Sequence, residues 1–351
     1  MKTIKVKASV EYDVIIDGGI LSRTGELSLS VTKPCRACIV TDDTVDALYS
    51  ATVESSLERA GFNITKFVIK HGEASKSTES LVALLEFMAQ NKLTRSDCIF
   101  ALGGGVVGDL AGFAAAVYLR GIKFIQLPTT LLAAVDSSVG GKTAVDLAAG
   151  KNLMGAFHQP SLVICDYKTL DTLPPEIFAD GCAEVIKYGI INDRELFDLL
   201  NEGIGENIEE IIASCVLNKS KIVAEDEFDV GTRQLLNLGH TVGHAIEARS
   251  DFAISHGSAV SMGMVIVTRA AVSIGICPEQ DLEDIITILK KAALPTDCPY
   301  TAEELVDTAL SDKKRFGNTI SLVVPYSIGD SRLFKIDVCE LKDFIQRGLE
   351  I

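Results

Sequence analysis

The sequence lacks any excess of positive charge. Its 351 residues contain 33 lysines and arginines against 48 aspartates and glutamates, giving a formal net charge of −15. Proteins that bind nucleic acid need a basic patch or stripe, so this balance argues against that class. The acidic surplus lies in one half of the chain. Residues 1–170 carry 17 basic and 17 acidic side chains, whereas residues 171–351 carry 16 and 31. At first sight this surplus also disfavours an anionic substrate.

The sequence also lacks an apolar run long enough to cross a bilayer. The longest, residues 110–119, falls well short of the roughly 20 residues that a membrane-spanning helix needs. Residues 1–16 alternate like a strand and contain no unbroken apolar core, so we expect no secretory signal and no membrane association.

The nine cysteines show no pattern of a disulfide framework. Their number is odd and they are scattered, which is typical of reduced thiols and predicts a cytoplasmic protein. Cys35 and Cys38 form the only close pair, and no second pair completes a cysteine zinc set.

The first half of the chain alternates between strands and helices. Apolar runs rich in β-branched residues predict strands, and helical periodicity predicts the segments between them. This alternation indicates an α/β domain with a mostly parallel sheet and helices on both faces. The predicted strands are 37–41, 64–69, 97–102, 123–127 and 162–166, and the predicted helices are 44–60, 77–91 and 106–118.

After residues 173–175 (Leu-Pro-Pro) the pattern changes to helices. We therefore predict an α/β domain over 1–170 and a mainly α-helical domain over 171–351. Two late strands are predicted at 319–324 and 332–336, before a terminal amphipathic helix. The predicted helices of this half are 176–191, 206–227, 231–249, 256–275 and 279–292.

A glycine-rich segment follows the predicted strand 97–102 and opens a helix. It runs Gly103-Gly104-Gly105-Val106-Val107-Gly108-Asp109. Glycines at such a place let backbone N–H groups approach a phosphate at a helix N-terminus, although the order is not G-x-G-x-x-G and a tight turn would look the same.

Polar residues follow the other strands. Asp42 ends a strand and suits either a ribose contact or a helix N-cap, and Glu73 and Lys76 follow the next strand. Thr129 and Thr130 follow a third strand and suit either a phosphate or a helix cap.

A second glycine-rich stretch carries lysines. Gly140-Gly141-Lys142-Thr143 resembles the end of a phosphate-binding P-loop, but the first glycine of that motif is replaced by Asp136, which excludes a nucleoside triphosphatase of that type. Gly150-Lys151-Asn152 follows nine residues later. The two lysines in glycine-flanked loops suit an oxyanion.

Three of the five histidines lie within 17 positions. His240 and His244 are four apart, so they share a helical face, and His256 follows. Two such histidines commonly share a zinc ion with a carboxylate. The spacing does not decide whether His244 or His256 joins His240; the remaining histidine would be free for acid–base work. Glu184 and Lys187 lie one turn apart among apolar neighbours, and a buried Glu184 would need a partner such as a metal.

Together these motifs resemble the 3-dehydroquinate synthase family of sugar phosphate cyclases, in order from about residue 42 to 314. The resemblance implies a Rossmann-like domain that binds NAD and a helical domain that holds Zn²⁺ or Co²⁺. It implies conversion of 3-deoxy-D-arabino-heptulosonate 7-phosphate to 3-dehydroquinate and phosphate, by a homodimer. The matching segments are 103–109, 118–121, 128–130, 135–143, 150–152, 183–189, 233–247, 256–257 and 312–314.

The resemblance also implies roles for individual residues. Glu184, His240 and His256 match the metal ligands, which leaves His244 for proton transfer. Arg120 matches a phosphate-binding arginine that reaches the partner subunit's site, and Lys313 or Lys314 would add to the substrate pocket. The other substrate positions are Asp136, Lys142, Lys151, Asn152, Lys187, Lys219, Arg233 and Asn237. The NAD positions are Asp42, Glu73, Lys76, Gly104, Gly105, Val106, Asp109, Thr129, Thr130, Lys142, Lys151 and Thr172.

Two positions depart from the family pattern: Thr44 stands where asparagine is usual, and Asp229 where glutamate is common. Three alternatives remain open. They are another cyclase such as 2-deoxy-scyllo-inosose synthase or an aminodehydroquinate synthase, a metal-dependent polyol dehydrogenase, and a non-catalytic binding protein. The matched lysines and arginines predict a locally positive site within an acidic chain, which reconciles the net charge with an anionic substrate.

Overall fold

The computed structural model describes residues 1–312 and 318–350. The chain divides into two compact units. The first contains Met1–Pro174 and Ile212–Phe228, and the second contains Pro175–Ile211 and Asp229–Ile351. Residues 212–228 belong to the first unit although they follow the predicted boundary at residue 170.

A seven-stranded sheet forms the centre of the first unit, in the order β1-β2-β9-β6-β5-β3-β4. β1 pairs with β2 antiparallel, and the other neighbours in this sheet are parallel. The first unit's strands are β1 (Lys2–Val6), β2 (Tyr12–Asp17), β3 (Arg36–Asp42), β4 (Asn63–Ile69), β5 (Cys98–Gly103), β6 (Lys123–Pro128), β7 (Lys142–Leu147), β8 (Gly150–Phe157) and β9 (Leu162–Asp166).

Helices cover both faces of this sheet. Successive side chains of a strand point to opposite faces, so Ile39 joins one hydrophobic cluster with Leu57, while Val40 joins the other with Leu84 and Leu110. These apolar side chains are all buried, which explains why the central strands read as continuous apolar runs. The helices are α1 (Thr24–Ser28), α2 (Asp43–Val45), α3 (Ala51–Arg59), α4 (Thr78–Gln90) and α5 (Gly105–Val117). A π-helical turn over Asp46–Ser50 joins α2 to α3.

The glycine-flanked lysine segments, read as loops from the sequence, are instead an antiparallel hairpin of β7 and β8. Gly140 and Gly141 enter it with φ of 94° and 69°, a region open to glycine. At Gly155 an added Cβ would lie 2.3 Å from the carbonyl oxygen of Thr143, so close strand pairing requires glycine there. Gly140 and Gly141, which suggested a loop, thus lead into the hairpin, and Gly155 allows its strands to pair closely.

The second unit is mainly helical, with one two-stranded sheet. α8 begins in this unit and continues into the 212–228 segment of the first. Its elements are α6 (Pro175–Asn192), α7 (Arg194–Leu200), α8 (Ile208–Glu225), α9 (His240–Arg249), α10 (His256–Ser273), α11 (Glu279–Lys291), α12 (Ala302–Asp312), α13 (Leu341–Leu349), β10 (Thr319–Ser327) and β11 (Asp330–Asp337). The predicted class, an α/β domain followed by a mainly helical one, is confirmed by this architecture.

The single helix predicted over 231–249 is wrong. A 3-10 segment, Thr232–Asn237, ends at Leu238, and α9 begins only at His240. Gly239 separates them with a φ of 78°, and an added Cβ would lie 2.8 Å from the carbonyl oxygen of Val260. The apolar periodicity continues through this break, so it predicts one helix. The break is instead set by the close approach of α10 to Gly239.

Within residues 1–312 and 318–350, none of the helices combines the length and apolar character needed to cross a membrane.

Candidate active site

Three predicted metal-binding side chains converge in the second unit. Glu184 lies in the middle of α6, while His240 and His256 are the first residues of α9 and α10. The Nε2 atoms of both histidines lie 3.6 Å from Oε1 of Glu184. Ligand atoms bound tetrahedrally to Zn²⁺ at about 2.0–2.2 Å are separated by about 3.3–3.6 Å. The spacing therefore fits one tetrahedral cation.

The Oε1 atom of Glu184 is buried and has no hydrogen-bond partner among the described residues. A buried carboxylate oxygen without a partner is costly, so this atom calls for a cation. The other oxygen, Oε2, accepts a hydrogen bond from Lys187, and both side chains are only 1% exposed. Lys187 therefore holds one oxygen of Glu184 and leaves the other directed at the histidines.

His240 and His256 are both oriented through their Nδ1 atoms. Nδ1 of His240 lies 3.1 Å from the carbonyl oxygen of Leu238, and Nδ1 of His256 lies 3.0 Å from Oε2 of Glu247. A hydrogen on Nδ1 leaves a lone pair on Nε2, which is the atom that faces Glu184 in each case. The arrangement thus directs two imidazole nitrogens and one carboxylate oxygen at one point, and this donor set suits zinc or cobalt.

Close helix packing brings the two histidines to α6. An added Cβ at Gly257 would lie 2.4 Å from the carbonyl oxygen of Asp180, so only glycine allows α10 to begin this close to α6. Oδ1 of Asp180 accepts hydrogen bonds from the Ser255 hydroxyl at 2.5 Å and the Ser258 N–H at 3.3 Å. Because Asp180 and Glu184 are one turn apart, this contact places His256 beside Glu184.

The pKa values of His240 and His256 are shifted in opposite directions. Burial, followed by the positive charge of Lys187, lowers the pKa of His240 well below its usual range, so its ring is neutral. Burial would also lower the pKa of His256, but the hydrogen bond to Glu247 and the negative charges of Glu184 and Glu247 outweigh it and raise that pKa to about 10. The negative charge of the two carboxylates thus favours the protonated form of His256, and the same negative charge would stabilise a metal cation beside Glu184.

His244 lies beside this cluster. Its ring centroid is 5.3 Å from that of His240 and 6.1 Å from that of His256, and its side chain is exposed. In the 3-10 segment Thr232–Asn237, Arg233 is 2% exposed and Asn237 is exposed. An exposed imidazole next to a cation site can exchange protons with a bound molecule and with water.

A second group of predicted residues surrounds the N-terminus of α5 in the first unit. Gly104 precedes the helix, and an added Cβ there would lie 3.0 Å from Cγ2 of Thr130. At Gly105 it would lie 3.2 Å from Oγ of Ser137. The Oγ1 atom of Thr129 is buried and has no partner among the described residues. Bare backbone N–H groups, a helix N-terminus and an unsatisfied hydroxyl fit a phosphate-bearing ligand such as a dinucleotide. Val106 lies in the first turn of the same helix.

Charged residues lie next to this helix start. Nζ of Lys76 is 3.2 Å from Oδ2 of Asp109, 3.1 Å from Oε1 of Glu73 and 4.0 Å from Oδ1 of Asp146. The Lys76 side chain is 6% exposed, whereas that of Glu73 is 43% exposed. The structure thus brings together three predicted NAD-binding residues.

The remaining predicted NAD residues have local partners. Oδ1 of Asp42 accepts hydrogen bonds from the N–H groups of Thr44 and Val45 at 2.9 Å, so Asp42 is the N-cap of α2. Thr172 lies 2.6 Å, oxygen to oxygen, from the hydroxyl of Tyr49. Asp42 therefore has the capping role that the sequence left open, which uses one of its two carboxylate oxygens.

The predicted substrate-binding residues of the first unit are spread over several elements. Lys219 of α8 donates to the carboxylate of Asp136, and its Nζ lies 2.6 Å from the Asp136 carbonyl oxygen. Lys142 begins β7, and Lys151 and Asn152 lie on β8, all three exposed. Lys313 and Lys314 lie outside the described residues.

Two of these predicted residues have left-handed backbone conformations. Arg120 has a φ of 68° and precedes Gly121 at 117°, and Asn152 has a φ of 57°. The N–H of Asn152 donates to Oδ1 of Asp146 at 2.7 Å, which fixes its strained position. Non-glycine residues held in this region are uncommon and concentrate at functional sites.

The chain matches two family models. Residues 66–180 match the N-terminal domain of 3-dehydroquinate synthase, and residues 181–315 match its C-terminal domain. The chain belongs to the 3-dehydroquinate synthase family.

The family assignment is supported by individual proteins. The chain is 45% identical over 343 residues to 3-dehydroquinate synthase of Streptococcus suis, covering 95% of this chain and 97% of that protein. A crystal structure of 2-deoxy-scyllo-inosose synthase, complexed with carbaglucose-6-phosphate, NAD⁺ and Co²⁺, is 25% identical with a TM-score of 0.88, covering 99% of this chain and 100% of that one. A 2-epi-5-epi-valiolone synthase from Streptomyces hygroscopicus subsp. jinggangensis 5008, with NAD⁺ and Zn²⁺ bound, is 27% identical with a TM-score of 0.86 and 98% coverage of both chains.

Sequence reasoning assigned no role to two residues that contact predicted site residues in the structure. Glu247 lay within the histidine motif but received no role, although its spacing of three from His244 and seven from His240 puts it on their face of α9. Asp146 was missed because residues 142–152 were read as loops. In the β7–β8 hairpin, Asp146 lies beside Lys76 and accepts a hydrogen bond from the N–H of Asn152.

Asp109 provides a pH-dependent test of the site around α5. Burial raises the pKa of its carboxyl from 3.8 to about 6, and Lys76 offsets this only in part. A folded-state pKa above the unfolded one contributes stability that is complete below about pH 4 and is lost as the pH rises through about 6. Relative to wild type, Asp109→Asn should therefore gain unfolding free energy between about pH 4 and pH 6 and show a constant difference above it. Urea denaturation across this range measures the difference, and a pH-independent difference would contradict the assignment. The exposed Asp251→Asn serves as the control.

Proposed function

We propose that this chain is a 3-dehydroquinate synthase, a phosphorus–oxygen lyase. It converts 3-deoxy-D-arabino-heptulosonate 7-phosphate to 3-dehydroquinate and phosphate in the shikimate pathway, which leads to aromatic amino acids. The observation that carries the proposal is the 45% identity over nearly the whole chain to a protein of that name. The convergence of Glu184, His240 and His256 supports it, because the reaction needs a cation at the reacting oxygens.

We propose NAD and one Zn²⁺ or Co²⁺ as cofactors. Glu184, His240 and His256 would hold the metal, and the glycine segment before α5, with Thr129, Thr130, Lys76 and Asp109, would hold NAD. When bound, NAD supplies transient oxidation and later reduction of a ring hydroxyl, and the metal supplies Lewis-acid stabilisation of the oxygen charge. Both cofactors are bound in the two cyclase structures that this chain resembles.

The chain's own residues supply binding and proton transfer. His244 is exposed beside the metal ligands, and an imidazole titrates near neutral pH, so it is proposed to move the substrate's proton. Lysine and arginine side chains neutralise the phosphate and carboxylate of the substrate. We assign this role to Lys142, Lys151, Lys187, Lys219, Arg120 and Arg233, with polar contacts from Asp136, Asn152 and Asn237.

Product analysis tests the proposed reaction. Purified protein is given the heptulosonate phosphate with NAD and zinc, and phosphate and 3-dehydroquinate are both measured, with glucose 6-phosphate as the competing substrate. We expect equal amounts of the two products, no accumulation of NADH, and loss of turnover on dialysis against a chelator with recovery on adding zinc. Turnover of glucose 6-phosphate instead would support 2-deoxy-scyllo-inosose synthase. Net release of NADH would support a polyol dehydrogenase, and absence of any turnover a binding protein.

We also propose a cytoplasmic homodimer. All nine cysteines lie in the described residues and none forms a disulfide, which is consistent with a reducing compartment. Arg120 is exposed on strained backbone, as expected of a side chain that reaches a partner subunit's site. Sedimentation equilibrium at micromolar concentration distinguishes a dimer from a monomer.

A further inference from the structure

Glu247 is a buried carboxylate to which the proposed reaction gives no role. It lies on α9 and is 5% exposed. Its Oε2 atom is 3.0 Å from Nδ1 of His256, which is hydrogen-bonding distance. A carboxylate this deeply buried needs a stabilising partner, and His256 is one.

The ring of His256 lies between two carboxylates. Nδ1 faces Glu247, while Nε2 lies 3.6 Å from Oε1 of Glu184, too far for a hydrogen bond. If Nδ1 carries the hydrogen that Glu247 accepts, Nε2 has its lone pair directed at the proposed cation site. A carboxylate in this position also makes the imidazole a stronger donor to a metal.

We propose that Glu247 is a positioning residue for the metal site, which fixes the tautomer and orientation of His256 and raises its affinity for the cation. The inference rests on the proposed metal-binding function and goes beyond it, because Glu247 itself does not contact the metal. The ring of His240 is oriented by a different group, because its Nδ1 faces the Leu238 carbonyl oxygen. The groups that orient the two histidines therefore differ in charge: a carboxylate orients His256, and a neutral backbone carbonyl orients His240.

A competing assignment makes Glu247 a ligand of a second cation. Ligand atoms of His244, Glu247 and His256 lie within 4.8 Å of one another. The 3.0 Å contact favours the hydrogen bond, because a cation between Oε2 and Nδ1 would hold these atoms about 3.3–3.6 Å apart. The two assignments predict different metal stoichiometries.

The test compares metal affinity in Glu247→Gln, Glu247→Ala and a control. Asp251→Asn is the matched control, because it converts an exposed carboxylate four residues away to an amide, and asparagine tolerates the φ of 51° there. Zinc dissociation constants are measured by chelator competition on the full-length protein. The absorption spectrum of bound Co²⁺ reports the ligand geometry, and urea denaturation of the chelated protein reports any purely structural effect.

We expect Glu247→Ala to weaken zinc binding about 10–100-fold and to change the Co²⁺ spectrum, with one metal per chain in the wild type. Glu247→Gln keeps the size and a hydrogen-bond acceptor but not the charge, so its loss should be smaller. It also serves as the test if the alanine variant does not fold. The control should stay within twofold of wild type.

Zinc affinities of the Glu247 variants within twofold of wild type would overturn the proposal, even if the chelated variants were less stable. So would two metals per chain in the wild type with one lost in Glu247→Ala. A wild-type protein that binds no zinc would overturn the proposed metal site itself, and the positioning role with it.

Discussion

Replacement of His240 by alanine is expected to abolish both zinc binding and turnover. His240 is one of the three proposed metal ligands, and Oε1 of Glu184, which it faces, is buried and lacks a hydrogen-bond partner among the described residues. Loss of one protein ligand leaves two, too few for a tight site. A Lewis acid contributes several kcal/mol to such a reaction, so turnover should fall by about 10³-fold or more.

His244→Ala is the matched control for this prediction. It removes an imidazole from the same helix face, with a ring 5.3 Å from His240, but not a proposed ligand. Zinc should remain at one equivalent per chain, and turnover should fall by about 10²–10⁴-fold, as for loss of a general acid–base group. Metal analysis and product assays on both variants decide. Retained zinc and turnover in His240→Ala would refute its ligand role. Loss of zinc in His244→Ala would mean that His244, and not His256, is the metal ligand.

The central sheet could be predicted from the sequence because its strands are buried on both faces. β3, β4, β5 and β6 begin and end within one residue of their predicted bounds, since apolar runs and turn residues define them locally. The β7–β8 hairpin could not be predicted. Gly155 is required there by its close contact with Thr143 on the paired strand, and such a contact leaves no periodic signal.

The candidate metal site was predictable only in part. Helical spacing showed that His240 and His244 share a face, but it could not separate His244 from His256. That distinction depends on where α9 and α10 begin and on how closely they approach α6, which Gly239 and Gly257 decide through tertiary contacts. The contact of Glu247 could not be predicted for the same reason, because its partner His256 is on another helix.

Replacement of Lys187 by methionine is expected to destabilise the metal-free protein strongly. Lys187 and Glu184 form an ion pair in which both side chains are 1% exposed. Removal of the Lys187 ammonium group leaves the Glu184 carboxylate buried without that partner, and breaking a buried ion pair from one side costs about 3–5 kcal/mol. Urea denaturation in the presence of a chelator measures the loss of unfolding free energy. Lys221→Met, at an exposed position of α8, should change it by less than about 0.5 kcal/mol.

The double variant Glu184→Gln with Lys187→Met separates the charge from the shape of the pair. Both replacements are neutral and close in size to the original residues, so no buried charge is left without a partner, and the double variant should be more stable than Lys187→Met alone. It should also fail to bind zinc, because the anionic ligand is gone. In Lys187→Met, by contrast, Glu184 remains, and added zinc should recover much of the lost stability through binding to the folded state. Equal stability of the single and double variants would mean that Lys187 acts through packing rather than by neutralising Glu184.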